Sequence, residues 1–324
     1  MPADEAIRET IPTVPAVKTA EPVAAPGGNS RWPWLAVLFA LGLVVPFLPV
    51  PNLAVAIAGA VVLVAVYVFA LVQFVAQTTR LRLSSGYLTM WFGISLAWWI
   101  ALTFGLIPQV IEPFNDALRA HGGQPFTSQL MIARTVRTLA DLALLCAAVL
   151  GGSLIAPLIK TPNMLGPICT VIALIDIWGV LFGGIVSQMM EKAPEVSAKA
   201  MSAVPSMGGA TGAAERYAIP ALHIGAGDYL FLGLLFAALH LNKMDWRGAV
   251  RLTTPLVIIA LLCVTFVGPL PGLPFIGLGV ALPNLKYFEY TREEKFALLY
   301  AAVFVVILTI GLYFGITSML PATK

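Results

Sequence analysis

The chain runs to 324 residues, 59% of them hydrophobic and only 11% charged, with a mean hydropathy of +0.90 and a formal net charge of +3. A soluble domain carries about 25% charged residues, so an ordinary water-soluble globular protein is excluded. The small positive charge is scattered between apolar runs, which argues against a nucleic-acid partner and makes the lipid bilayer the first partner to expect.

Residues 1–31 are rich in Pro, Ala, Thr and Glu and lack an apolar run behind a basic start, so they read as a disordered tail rather than a cleavable signal. Arg31-Trp32-Pro33-Trp34 then looks like an interfacial anchor. A span needs about 20 apolar residues, and the hydropathy pattern predicts spans over 32–50, 53–77, 87–110, 138–159, 163–190, 218–241, 249–269 and 294–319. Residues 111–137 are amphipathic. A ninth stretch, 269–285, is short and broken by prolines, as expected of a half-crossing or re-entrant element packed against protein. The expected fold class is therefore all-α, a polytopic integral membrane protein of about eight to nine transmembrane helices. Cys146, Cys169 and Cys263 lie in apolar runs without metal-type spacing and read as small buried hydrophobes. No metal or cofactor is expected.

Apart from Glu294 at the very start of the last span, three acidic residues fall inside these spans: Asp141, Asp176 and Asp228. Asp141 follows Arg137 by four residues, the spacing at which side chains meet on one helix face, and reads as a local ion pair. Asp176 and Asp228 have no basic residue within a turn. Asp176 is central in 163–190, and Asp228 lies near the middle of 218–241. At 1.5 Å per residue they sit roughly 21 Å and 15 Å from their shared loop end, a difference that helix tilt absorbs. Consecutive elements are usually neighbours, so the two carboxylates are expected to face each other near the midplane. A charged group in hydrocarbon is costly and marks a functional site by default.

Gly225 and Gly227 flank Ala226 immediately before Asp228, and a loosened helix there would expose backbone groups to water or substrate. Pro271-Gly272-Leu273-Pro274 follows one span later, with prolines that keep its backbone out of a helix. Its carbonyls and amides would then be available to an extended peptide. A second run, Ala281-Leu282-Pro283, lies nearby. His223, five residues before Asp228, reads as a helix-packing polar group, and Tyr229 as packing.

Asp176, Gly225-Ala226-Gly227-Asp228 and Pro271-Gly272-Leu273-Pro274 together resemble the presenilin and signal peptide peptidase family of intramembrane aspartyl proteases, over roughly residues 163–290. That family carries Tyr-Asp on one span, Gly-x-Gly-Asp on the next and Pro-Ala-Leu beyond one further span. Ile175 here stands at the tyrosine position, and Gly272 at the alanine. The resemblance implies a presenilin-like fold with Asp176 and Asp228 as the catalytic pair. It also implies a substrate-positioning loop formed by Gly225, Gly227, Pro271, Gly272, Leu273 and Pro274.

On that reading the chain divides into the tail 1–31, an N-terminal bundle 32–160, a catalytic half 161–290 with a mobile loop 191–217, and a C-terminal helix and tail 291–324. The substrates would be transmembrane helices of other proteins, and the location a cell (inner) membrane if the source is prokaryotic. Two carboxylates a few ångströms apart share a proton, and such a pair can activate water without a metal. Prepilin peptidases share Gly-x-Gly-Asp but usually continue with Lys-Leu, where this chain has Tyr229-Leu230. A proton-coupled transporter also uses midplane acids, and a non-catalytic binding protein on the same scaffold is a third class.

Overall fold

The structure, a computed structural model, describes residues 31–81, 83–110, 127–181, 199–208, 222–268 and 270–296, with scattered positions from 299 to 311. The expected tail, most of the expected last span and parts of the 191–217 loop lie outside the described residues. Five helices are long and apolar enough to cross a membrane: Leu53–Thr79, Ser85–Gln109, Leu130–Leu158, Pro162–Val180 and Trp246–Val264. Two shorter apolar helical segments, Arg31–Phe47 and Ala226–Leu241, accompany them. The described chain is thus a mostly helical membrane protein.

In chain order the helices are α1 (Arg31–Val44), α2 (Leu53–Thr79), α3 (Ser85–Ile100, continuing through a π-helical turn to Val110), α4 (Thr127–Ile155) and α5 (Leu165–Leu181). A two-stranded sheet follows, β1 (Met201–Ala203) and β2 (His223–Gly225), then α6 (Ala226–Leu241), α7 (Trp246–Val267) and α8 (Leu273–Ala281). Local chemistry accounts for several boundaries. Asn52 caps α2 by accepting from the Val55 N–H at 2.9 Å, and Asp245 caps α7 by accepting from the Gly248 N–H at 2.8 Å. α7 stops at Gly268, whose φ of 94° is open to glycine and strained for other residues. α8 starts with Pro274 in its first turn, where a missing N–H costs nothing.

Three expectations need correction. The stretch 218–241 is not one helix: residues 223–225 are a strand and α6 begins only at Ala226. Ser202 pairs with Ile224 in antiparallel register, an interaction with a distant segment that hydropathy cannot reveal. The same pairing makes residues 201–203 an ordered strand within the segment read as a loop. The fourth span also starts earlier than expected, because Thr127–Arg137 extend α4 rather than forming a connection.

Packing differs from the simple antiparallel pair as well. α6 packs chiefly on α4, and α5 chiefly on α8, so the short helix α8 stands between the two aspartate-bearing elements. Helix association inside a bilayer gains little from hydrophobicity, so close backbone approach through small residues matters more. The α4–α6 crossing uses it: a methyl built on Gly233 would fall 2.7 Å from the Val149 carbonyl oxygen. At its far end α8 is tied to the start of α7. The wholly buried Asn284 accepts from the Asp245 N–H at 2.8 Å and donates to the Val280 carbonyl at 2.8 Å. Ala281-Leu282-Pro283 lies at this end, away from the aspartates, with Pro283 packed beside Gly248.

Candidate active site

Asp176 comes from the second half of α5, and Asp228 is the third residue of α6. Asp228 Oδ2 accepts the Gly225 N–H at 3.1 Å. This is half of a capping box, because glycine has no side chain to return the bond. The carboxylate lies over a helix N-terminus, where negative charge is favoured. Asp228 lies about 20 Å along the helix axis from the end of α6 at Leu241.

The two acids meet on one backbone segment. Asp176 Oδ2 accepts the Leu273 N–H at 2.9 Å, and the Gly272 backbone also bonds to this carboxylate. From the other side, a methyl built on Gly272 would stand 3.1 Å from Asp228 Oδ1. With only Gly272 between these two contacts, the carboxylates lie within roughly 10 Å of one another. Of the glycines singled out, Gly272 makes the tightest approach to an aspartate oxygen, against 3.5 Å for Gly225.

Gly225 and Gly227 play a smaller steric part than the sequence implied. Gly225 has an ordinary extended conformation (φ −73°, ψ 152°), and a methyl on Gly227 would meet no described atom within 4 Å. The break beside Asp228 is made by strand pairing rather than by glycine flexibility. The prolines do not keep this whole element out of a helix as expected: Pro271 and Gly272 precede α8, but Leu273 and Pro274 are its first residues, because a proline is tolerated in a first turn. Leu273 supplies its amide to Asp176. Ile175, beside Asp176, is 60% exposed.

A cavity of about 80 Å³ opens beside Asp228 and Gly272, walled by His223, Ile224, Leu71 and Val257 among others. A water occupies about 10–15 Å³ on this measure, so the cavity has room for several waters or one small aliphatic side chain. His223 belongs to this wall and to β2, not to a helix face as expected.

Sequence reading treated Tyr229 as packing and left Tyr67 and Ser202 aside. All three are buried and share hydrogen bonds next to Asp228. Tyr67 and Tyr229, two phenols inside apolar runs, were the available signal. Asp141 makes the expected bond with Arg137 at 3.6 Å. No family model matches the chain, nor does any curated protein or solved structure.

Proposed function

We propose that this protein is an intramembrane aspartyl endopeptidase of the presenilin and signal peptide peptidase kind, cleaving transmembrane segments of other proteins. The observation that carries the reading is the convergence of Asp176 and Asp228, from separate elements, on the Gly272–Leu273 peptide beside a cavity with room for water.

The reaction follows from the groups present. One carboxylate, ionised, takes a proton from water as its oxygen attacks the carbonyl carbon of the scissile peptide. The other, protonated, donates to the carbonyl oxygen as the tetrahedral intermediate forms. Collapse breaks the C–N bond: the leaving amine takes the proton from the first carboxylate and a hydroxyl of the intermediate returns one to the second, which restores a pair holding one proton between them. The Leu273 and Gly225 amides hold one oxygen of each aspartate, so their rotamers are set before substrate arrives. A transmembrane helix must unwind locally to present its carbonyl, and the β1–β2 hairpin offers a strand edge that leads straight into Asp228.

The test is a purified, membrane-reconstituted protein with a transmembrane peptide substrate. Asp176→Asn and Asp228→Asn should each abolish cleavage while the protein stays folded, and the double variant should be hardly worse than either single one. Normal cleavage by either single variant would sink the mechanism.

A further inference from the structure

Ser202 occupies an inward position on β1, only 1% exposed and paired across the sheet with buried Ile224. A hydroxyl there must find hydrogen-bond partners, and it lies within bonding reach of both Tyr67 and Tyr229. The two phenol oxygens are themselves 3.3 Å apart, with Tyr67 6% and Tyr229 1% exposed. Three hydroxyls from α2, β1 and α6 therefore close on one another inside an otherwise apolar core. Asp141, on α4, is near enough to act electrostatically on both phenols.

The location gives this cluster leverage. Tyr229 follows Asp228, so its side chain leaves α6 about 100° further round the axis. Fixing Tyr229 against α2 fixes the rotation of the first turn of α6, and with it the direction of Asp228. Ser202 ties the same point to β1, and the residues flanking β1 are bonded to those flanking β2, including the first residue of α6. The Val204 N–H donates to the Leu222 carbonyl at 2.8 Å, and the Ala226 N–H to the Ala200 carbonyl at 3.1 Å.

We propose that Ser202, Tyr67 and Tyr229 form a buried hydroxyl anchor that positions Asp228 by locking the β1–β2 hairpin and the first turn of α6 onto α2. None of the three touches the reacting atoms; they are positioning residues, and the proposal rests on the proteolytic reading above. A displacement of about 1 Å at a reacting group can cost on the order of 100-fold in rate, which sets the scale of the effect.

The experiment uses the full-length reconstituted protein and compares Ser202→Ala, Tyr67→Phe, Tyr229→Phe and the Ser202→Ala/Tyr67→Phe pair. Each variant is measured for kcat and KM on a transmembrane peptide, and for hydrogen exchange at the Val204 and Ala226 amides against amides in the middle of α2. Each single change should lower kcat by about 10- to 100-fold with KM within about twofold. The pair should be little worse than either single variant, because both break one unit. The hairpin amides should exchange faster while α2 does not.

Three results would overturn the anchor. They are kcat within about twofold of wild type in every single variant, a fall in kcat with unchanged hairpin exchange, and equal loosening of α2 that marks a general loss of stability. An Asp228→Asn control separates the two readings. If that control still cleaves, the protease assignment fails, and the hairpin exchange alone then decides whether the anchor exists.

Discussion

Replacing Gly277 by cysteine should close a disulfide with the native Cys169. α5 and α8 meet at this point, where a Cβ built on Gly277 lies 3.4 Å from Cys169 Cβ and 3.8 Å from its Cα. Disulfides bridge Cβ separations of about 3.5–4.5 Å, so the backbones need to part by no more than a few tenths of an ångström. The bridge would close a loop of roughly 100 residues, worth up to about 4–5 kcal/mol on the chain-entropy account. That value is a ceiling, because an unfolded chain whose spans stay inserted has less freedom to lose. Cys169 is buried, so a small membrane-permeant oxidant is required, in a background with Cys146 and Cys263 replaced. The readout is a linked peptide pair in mass spectrometry and a raised thermal midpoint that reductant reverses. If both thiols stay open to alkylation in the oxidised, folded protein, α8 does not lie on α5. The Leu273–Asp176 bond, which depends on that packing, would fall with it.

Gly272→Ala puts its methyl 3.1 Å from Asp228 Oδ1. It should cut kcat by about three- to tenfold, and Gly272→Val by about 100-fold. Wild-type rates from both on the same transmembrane substrate would refute the close approach. Gly233→Val would drive its branches into the Val149 backbone and should destabilise the α4–α6 crossing by about 1–3 kcal/mol, seen as a lowered melting temperature in detergent. An unchanged midpoint would contradict that crossing.

Much of the helical content was legible because apolar runs in a bilayer have few alternatives to helix. Val68, Val72 and Val75, all wholly buried, belong to a span that hydropathy outlines almost to the residue. The meeting of Asp176 and Asp228 was legible in outline as well, because unpaired acids in two spans need a shared reason to be there. What stayed hidden depends on contacts between distant segments. The start of α6 is set by strand pairing between residues 201–203 and 223–225, and neither segment looks like a strand alone. The placement of α8 between the acids depends on its packing against α5 and α7, and the amide it presents to Asp176 looks like any other in sequence. Ser202 sat in a stretch whose small residues read as a linker, and only its partners Tyr67 and Tyr229 give its hydroxyl meaning.

The bond between Asp176 and Leu273 joins residues 97 positions apart, which bears on how the chain is made. At about 5–20 residues per second, roughly 5–20 s of synthesis separates the aspartate from the amide that will hold it. Throughout that interval the half-made chain carries a carboxylate in the insertion machinery without its amide at Leu273 and without α8. A nascent or truncated chain that ends before Pro271 therefore has both acids but neither the Leu273 amide nor α8. The nine-residue helix α8 is thus the last of the described elements around the two acids to leave the ribosome.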